Sequence, residues 1–217
     1  NSTNLFASPN NYTIGYNCAS TQSGGELEDN QFAGIQGYSQ KNWNNTNSEV
    51  IAADRNGKRV NTNVVIIWES NGFGTSRSNL RFTDGDQAMM TGYFNTGSST
   101  TSNIKMMNIP SLLTRKDGYT VVVYFNGNKP SVGGAYWIED SKGNVITDKL
   151  IGNSLRRASK YELDIGKSHD DKGNYLLFSG LKDSTITIKA STENNLGWAP
   201  EGLNPIAPIN GIQLIPG

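Results

Sequence analysis

The four tryptophans are the residues best suited to binding a flat ligand, since an indole ring offers an apolar face to the C–H side of a sugar and a polar N–H at its rim. They are Trp43, Trp68, Trp137 and Trp198. Trp198 lies in a loop-like stretch without alternation, and we expect it to form a binding platform or a plug over one end of the domain. Trp68 ends a continuous apolar run, which favours a place in the core.

Two further aromatic positions leave their roles open. Trp43 lies in an Asn-rich segment, where either an exposed platform or a packing role fits. Trp137 follows Tyr136 on a predicted strand, so one of the two side chains must point away from the core. Trp43, Tyr136 and Trp137 therefore join Trp198 as candidate carbohydrate-binding residues.

A basic cluster could bind carboxylate groups of an acidic ligand. Arg156 and Arg157 are adjacent, so at least one of them should face solvent, and Lys160 follows closely. The planar guanidinium of arginine matches a carboxylate well. The alternative is an ordinary solvated charge cluster.

Two acidic groups could hold a structural calcium ion, which prefers oxygen ligands. Asp84 and Asp86 flank a glycine in a predicted tight turn, and Glu26, Glu28 and Asp29 form the second group. Neither group has the full spacing of a calcium loop, so a bare turn is the alternative. The single histidine and single cysteine argue against a transition metal.

Residues for catalysis are few. His169 lies in a polar run between a serine and an aspartate, and such a tandem is not a catalytic triad, which is defined in space. Glycoside hydrolysis requires two facing carboxylates, for which Glu69, Glu139 and Glu162 are the acids on or beside predicted strands. Cys18 has no second cysteine to pair with.

Composition agrees equally with an extracellular β module and with a β protein that is simply rich in loops. The 217 residues carry no net charge, only 18% are charged, and 24 are glycine. The many uncharged amides and hydroxyls suit turns and can bond to sugar hydroxyls. No apolar run reaches the length of a membrane span. We expect a secreted, processed segment, monomeric, without nucleic-acid or membrane partners.

Strand signals dominate the elements that must position these residues. β-branched and aromatic runs occur at residues 64–68, 120–125 and 185–190, and alternation recurs at 161–165. Further strands are predicted at 87–94, 104–109, 135–139, 175–179 and 211–215, with turn dipeptides such as Asn126-Gly127 between them. Residues 15–48 look like long loops. The pattern predicts one all-β domain over residues 1–217, an antiparallel, jelly-roll-like β-sandwich.

The order of these segments resembles a family of β-sandwich carbohydrate-binding modules attached to secreted bacterial enzymes, most closely the modules of xanthan-degrading enzymes. The similarity runs from residue 42 to the end, through the segments at 84–94, 118–127, 173–181 and 207–216. These segments are turns and core strands, so they carry the scaffold more than a site. Residues 136–165 depart from the pattern, where loops usually set specificity.

The resemblance implies a non-catalytic module that brings an attached catalytic domain to a polysaccharide, with xanthan or a related anionic β-glucan as the ligand. Two alternatives stay open from the residues. One is a small β-sandwich glycoside hydrolase or polysaccharide lyase. The other is a structural or adhesin domain of a cell-surface protein.

Overall fold

The computed structural model describes residues 11–194 and 203–217. Strands predominate in these ranges. In chain order they are β1 (Tyr12–Asn17), β2 (Asn44–Asn45), β3 (Ala52–Arg55), β4 (Lys58–Asn61), β5 (Val65–Glu69), β6 (Gly72–Thr75), β7 (Gly92–Asn95), β8 (Thr101–Met107), β9 (Tyr119–Tyr124), β10 (Val132–Asp140), β11 (Leu150–Asn153), β12 (Tyr175–Leu181), β13 (Ile186–Ser191), β14 (Asn204–Pro205) and β15 (Gly211–Pro216). The helices are α1 (Ser20–Ser23), α2 (Asp84–Thr91) and α3 (Ser111–Thr114).

Two sheets pack against each other. The first has the strand order β12-β9-β15-β1-β3-β4, with β2 parallel to β1, and the second has the order β11-β10-β13-β8-β5, with β14 parallel to β10. The other neighbours in both sheets are antiparallel. Strands β6 and β7 form a separate ribbon. The predicted all-β sandwich is therefore confirmed.

The main core lies between the facing sides of the two sheets. The first sheet contributes Ile14, Val121 and Leu214, and the second contributes Ile104 and Ile188, all fully buried. Register keeps these residues on one face: Val121 is opposite Leu214, and Ile104 is opposite Ile188. Because side chains alternate along a strand, the same registers send the intervening residues to the outer faces.

The outer face of the first sheet is covered by a second apolar cluster. Val122, Tyr124 and Ile215 point outward from the sheet and are buried beneath Trp43, Met89 and other residues of α2 and the loops. Gly15 on β1 makes room for this layer, since a Cβ atom there would lie 2.6 Å from the ring of Trp43. The first sheet is therefore buried on both sides near its centre.

The outer face of the second sheet carries a polar row. Trp137, Lys189, Asn103 and Glu69 lie side by side across four strands. Glu69 is exposed and Lys189 and Asn103 are partly exposed. Side chains along these strands therefore alternate between the buried core and this solvated face, as in an antiparallel sheet with one side in water.

Residues 87–94, predicted as a strand, are instead the end of α2 followed by β7. Gly85 and Met89 lie four residues apart on the buried side of the helix, as helical spacing requires. Asp84 and Asp86 occupy the first helical turn, where negative charge is favourable. The run of large apolar residues concealed the helix because Met89 and Met90 suit either structure when buried.

The alternation at residues 161–165 was also misleading, because this stretch is a loop with one bridge between Leu163 and Tyr175. Leu163 and Ile165 are exposed, whereas Asp164 between them is 1% exposed. Its carboxylate accepts hydrogen bonds from the backbone N–H groups of Asn153 and Gly166, at 3.0 and 2.8 Å. These hydrogen bonds from backbone N–H groups therefore determine that Asp164, and not its apolar neighbours, is the buried side chain in this stretch.

Residues 15–48, predicted to be long loops, also contain α1, β2 and the second half of β1. Strand β1 lies inside the first sheet between β15 and β3. Gly15 and Asn17 weaken the strand signal of β1 in the sequence, but the neighbouring strands β15 and β3 supply partners for its backbone hydrogen bonds. Within the described ranges, no helix is long and apolar enough to cross a membrane.

Candidate functional site

A groove of about 540 Å³ opens on the covered face of the first sheet. We call it the tyrosine groove. It is lined by Gly34, Ile35, Gln36, Ser39, Phe82, Asp86, Ser159, Lys160, Tyr161 and Tyr175. A second depression of about 450 Å³, the side depression, adjoins it and shares Ser39 and Asp86 with it. Both volumes fall within the range of about 300–1,000 Å³ that is typical of small-molecule sites.

The floor of the tyrosine groove is fixed by Tyr124 of β9, which is fully buried. Its hydroxyl donates to Oε1 of Gln213 at 2.7 Å and accepts the backbone N–H of Ile35 at 2.9 Å. Gln213 in turn donates to the carbonyl of Tyr38 at 2.7 Å. The loop of residues 33–40 is thereby held over the sheet as one wall of the groove.

Asp86 joins the two walls. Its Oδ1 accepts the backbone N–H of Gly34 at 3.0 Å from one wall and the hydroxyl of Tyr161 from the other. Gly85 allows α2 to come this close, since a Cβ atom there would lie 2.1 Å from the carbonyl oxygen of Phe32. No bond from a described residue to Oδ2 of Asp86 is present, so this oxygen can accept a hydroxyl of a ligand.

The carboxylate of Asp86 is partly buried. Burial raises the pKa of this carboxyl above its usual value, and the hydrogen bonds from Tyr161 and Gly34 oppose the rise. The negative charge of the neighbouring Asp84 carboxylate raises the pKa of Asp86 further. Burial also raises the pKa of the Tyr161 phenol well above its usual range, so Tyr161 acts as a hydrogen-bond donor rather than as a base at neutral pH.

The aromatic rings of the groove pack as a continuous group. The ring of Tyr161 lies 4.9 Å from that of Phe82 and 5.3 Å from that of Tyr124, and Tyr175 lies 6.3 Å from Tyr124. Tyr175 is the partly exposed end of this group. It offers an aromatic surface that is held in place from below.

One residue of the predicted basic cluster, Lys160, lies at this groove. Lys160 is exposed and lines it. Arg156 and Arg157 are both exposed, and the backbone N–H of Arg157 donates to Oδ1 of Asn79 at 2.7 Å. Within the described part of the chain, no ion pair occupies these three cations. The fold therefore brings Lys160 together with Asp86, two residues that were selected for different reasons.

Two of the candidate platform residues are buried, so the packing role left open for Trp43 is the one that the structure shows, and Tyr136 is the ring of its pair that points into the core. Trp43 is 1% exposed, and its indole N–H points toward the carbonyls of Ala33 and Gln40 at 3.1 and 3.2 Å. Tyr136 is fully buried in the main core and donates its hydroxyl to the carbonyl of Pro208 at 2.7 Å. Neither ring has a face that a sugar could reach.

Trp137 points to the opposite side of β10 from Tyr136, as the alternation predicts, yet it is only 5% exposed. Leu203 packs beside it, and the ammonium of Lys149 lies 4.8 Å from its ring centre. Its N–H donates to Glu139 at 2.8 Å. Trp137 is thus covered and does not serve as an open platform. Trp198 lies outside the described residues.

The calcium prediction finds little support around α2. Oδ1 of Asp86 already faces two hydrogen-bond donors, which a cation would have to displace. In residues 11–194 and 203–217, no cluster of three or more His, Cys, Asp or Glu side chains is suited to a metal. In the other acidic group, Asp29 pairs with Arg59 at 3.4 Å and Glu26 accepts a hydrogen bond from Thr21.

None of the acids and the histidine considered for catalysis lines the tyrosine groove. Glu139 is bound to Trp137 and lies 3.8 Å from the ammonium of Lys189 on the outer face of the second sheet. His169 lies 3.6 Å from Asp170 on a loop. Glu69 and Glu162 are exposed. Among the described residues, no contact joins two of these carboxylates as a facing pair.

Several groove residues carried no signal in the sequence. Phe82, Tyr175 and Gln36 come from three separate segments, and their types are common in any β protein. Only Asp86, Lys160 and the alternating Tyr161 had drawn attention, each for a different reason. Their proximity depends on loops that cross the outer face of the first sheet.

No protein-family model, curated protein or solved structure matches this chain. The residues of the groove therefore carry the functional proposal.

Proposed function

We propose that this chain is a non-catalytic carbohydrate-binding module of a secreted protein, and that it holds an attached catalytic domain on a polysaccharide. The observation that carries the proposal is the tyrosine groove, in which aromatic rings and uncharged or singly charged polar groups surround one open cleft. A tether of this kind raises the local concentration of the catalytic domain without any chemistry in the module itself.

The groove has the two kinds of surface that a sugar requires. The rings of Tyr175, Tyr161 and Phe82 supply apolar area for the C–H side of a pyranose. Gln36, Ser39 and the free oxygen of Asp86 supply partners for hydroxyl groups. These partners are needed because a buried hydroxyl without a hydrogen bond costs about 1–3 kcal/mol.

The groove is also prepared before a ligand arrives. Tyr124, Gln213 and Asp86 connect its walls to the sheet and to α2 through hydrogen bonds of 2.7–3.0 Å. Little ordering of the walls is then required on binding, and this lowers the entropic cost of association.

An acidic glycan such as xanthan agrees with the presence of a cation in the groove. Lys160 lines the groove, and Arg156 and Arg157 are exposed a few residues before it. They could approach carboxylates of the ligand while the rings contact its sugar faces. Asp86, which lines the groove, and Asp84, which lines the side depression, favour hydroxyl groups and oppose carboxylates.

The test is retention of the whole chain in native gels containing xanthan, hydroxyethylcellulose, galactomannan or xylan. Retention by at least one polymer is expected, and Tyr175→Ala should reduce it about tenfold, the equivalent of 1.4 kcal/mol. Leu177→Ala is the matched control, since Leu177 lies on the same strand, is half-buried and does not line the groove.

Two results would contradict the proposal. One is equal migration in gels with and without each polymer. The other is an equal loss of retention in Tyr175→Ala and Leu177→Ala with both proteins folded, since that would place binding outside the groove.

Lys160→Ala should weaken retention by xanthan more than retention by hydroxyethylcellulose. Lys172→Ala serves as its control, because Lys172 is an exposed lysine that does not line the groove.

A lyase or hydrolase activity is the second candidate, because the groove gathers Tyr161, Lys160 and Asp86 within one cleft. A lyase would need a base that loses a proton near neutral pH. Burial raises the pKa of Tyr161, and its hydroxyl is already bonded to Asp86, so we place binding first. Release of reducing sugars or unsaturated uronates by the isolated chain, abolished in Asp86→Asn, would favour the enzyme instead.

A further inference from the structure

A second aromatic surface lies at the open edge of the sandwich, away from the tyrosine groove. Trp68 of β5 stacks on Phe94 of β7, with ring centres 4.4 Å apart and planes at 25°. Phe73 of β6 contacts the same indole edge-to-face at 5.5 Å and is 41% exposed. Phe94 is fully buried and anchors the group to the core. The exposed aromatic surface is therefore held rigidly from below.

The depression in front of these rings is lined only by uncharged residues. They are Thr21, Gln22, Thr46, Asn47, Trp68 and Phe73. We call this depression the aromatic shelf. It shares no lining residue with the tyrosine groove or the side depression, both of which include charged side chains.

The polar groups around the shelf divide into two kinds. The hydroxyl of Thr46 bonds to that of Thr21 at 3.0 Å and lies 3.1 Å from that of Ser20, which orders the rim. The side-chain amides of Gln22 and Asn47 are exposed and receive no hydrogen bond from a described residue. An amide can donate and accept at once, so it can bind a sugar hydroxyl in either sense.

The size of the shelf limits what it can hold. Its volume is about 150 Å³. An adjoining depression of about 160 Å³ shares Thr46 and Trp68 with it and is also lined by the exposed carboxylate of Glu49. Together they reach only the lower end of the range for small-molecule sites, about 300 Å³. The space suits one or two sugar units rather than a long oligosaccharide.

We infer that the aromatic shelf is a second glycan-binding site, which takes uncharged sugar units by stacking on Phe73 and Trp68 and by hydrogen bonds to Gln22 and Asn47. The inference rests on the proposed function for the nature of the ligand, but on different residues. A weak site gains most when a first site has already captured the same polymer, because the second encounter is then intramolecular.

The experiment uses the whole chain and two neutral polymers, hydroxyethylcellulose and galactomannan, with xanthan as the acidic comparison. Phe73→Ala should lower the affinity for a neutral polymer about three- to tenfold while leaving the tyrosine groove intact. Ile67→Ala is the matched control, since Ile67 is a 54% exposed apolar residue on neighbouring β5 that does not line the shelf. A paired variant, Gln22→Ala with Asn47→Ala, tests the polar partners without touching the aromatic group.

The outcomes separate the two proposals. Loss of neutral-polymer affinity in Phe73→Ala or in the paired amide variant, but not in Ile67→Ala, supports the second site. Wild-type affinity in both shelf variants, with loss in Tyr175→Ala, overturns the second site and leaves the groove standing. An equal loss for xanthan and for the neutral polymers overturns the preference for uncharged sugars. Absence of binding by the unmodified chain to every polymer overturns both proposals.

Discussion

The two sheets of the sandwich differ in what lies on their outer faces. The first is overlaid by α2 and by loops that bury Trp43, Phe82 and Tyr124 in a second apolar cluster. The second shows a polar row that includes Lys189, Asn103 and Glu69. A pleated sheet by itself is nearly flat, so a cleft deep enough to enclose a ligand needs walls that rise above it. Among the described residues, the walls of the tyrosine groove rise above the overlaid face.

The comparison also separates two ways of using an aromatic residue. Trp137, on the second sheet, is covered by Lys149 and Leu203 and has its N–H bound to Glu139. Tyr175, on the first sheet, is supported by Tyr124 but keeps part of its ring open. Ring type alone therefore does not identify a platform, because the neighbours decide which face stays free.

The largest expected effect comes from removing the support of the overlaid face. Trp43→Ala should lower the free energy of unfolding by about 3–5 kcal/mol, the range measured for large aromatic-to-alanine changes in cores. The indole is fully enclosed and donates to two carbonyls. Chemical denaturation measures the change, and a loss below about 1 kcal/mol would show that the overlay is not part of the folded core.

A smaller effect is expected where the two walls of the groove meet. Tyr161→Phe removes the hydroxyl that donates to Asp86 and should cost about 1.5–3 kcal/mol of stability, the range for hydrogen bonds to charged groups. Glycan affinity should fall too, since the carboxylate loses one of its two donors. Tyr175→Phe is the control, because it keeps the ring and removes a hydroxyl that makes no hydrogen bond with a described residue. Equal stability of the two variants would contradict the assigned role of the bond.

A pH effect is expected from the loop that follows the basic cluster. Burial raises the pKa of Asp164 to about 6, although the N–H groups of Asn153 and Gly166 oppose the rise. Between about pH 4 and pH 6 the folded state therefore holds a proton that the unfolded state has released. The free-energy contribution of this group to stability then falls as the pH rises through that interval.

Asp164→Asn should flatten this part of the pH profile relative to the unmodified protein. It should also lower stability at every pH, because one amide N–H group would face a backbone N–H. Melting temperatures measured from pH 3.5 to 7 test both statements. A variant with the same pH slope as the unmodified chain would remove Asp164 as its source.

The smallest effect is expected on the outer face of the second sheet. Lys149→Ala removes a cation that is exposed and lies over the ring of Trp137 at 4.8 Å, and it should cost about 0.5–1 kcal/mol. Glycan affinity should be unchanged, since this residue lines neither the tyrosine groove nor the aromatic shelf. A clear loss of binding in this variant would move the site to the second sheet and reverse the comparison between the faces.

Much of the framework could be predicted from local patterns, but the site could not. The apolar runs at residues 64–68, 120–125 and 185–190 predicted the strands Val65–Glu69, Tyr119–Tyr124 and Ile186–Ser191, because burial on a sheet selects β-branched and aromatic residues. Helix α2 was missed because methionine suits both structures, and the loop around Asp164 was missed because its carboxylate takes the buried place. Tyr161 and Lys160 were noted, but nothing local indicated that they would line one groove together with Asp86 of α2.

The sequence by itself therefore determined an all-β sandwich with polar turns, because side-chain alternation and turn chemistry act over a few residues. It also made a hydroxyl-rich ligand plausible through its amides and aromatic rings. The tertiary structure decided which of those rings remain open. Trp43 and Tyr136 were enclosed by distant segments, and Tyr161, Asp86 and Tyr175 were brought together from three separate parts of the chain. A cleft is a relation between segments far apart in sequence, so only their packing could define it.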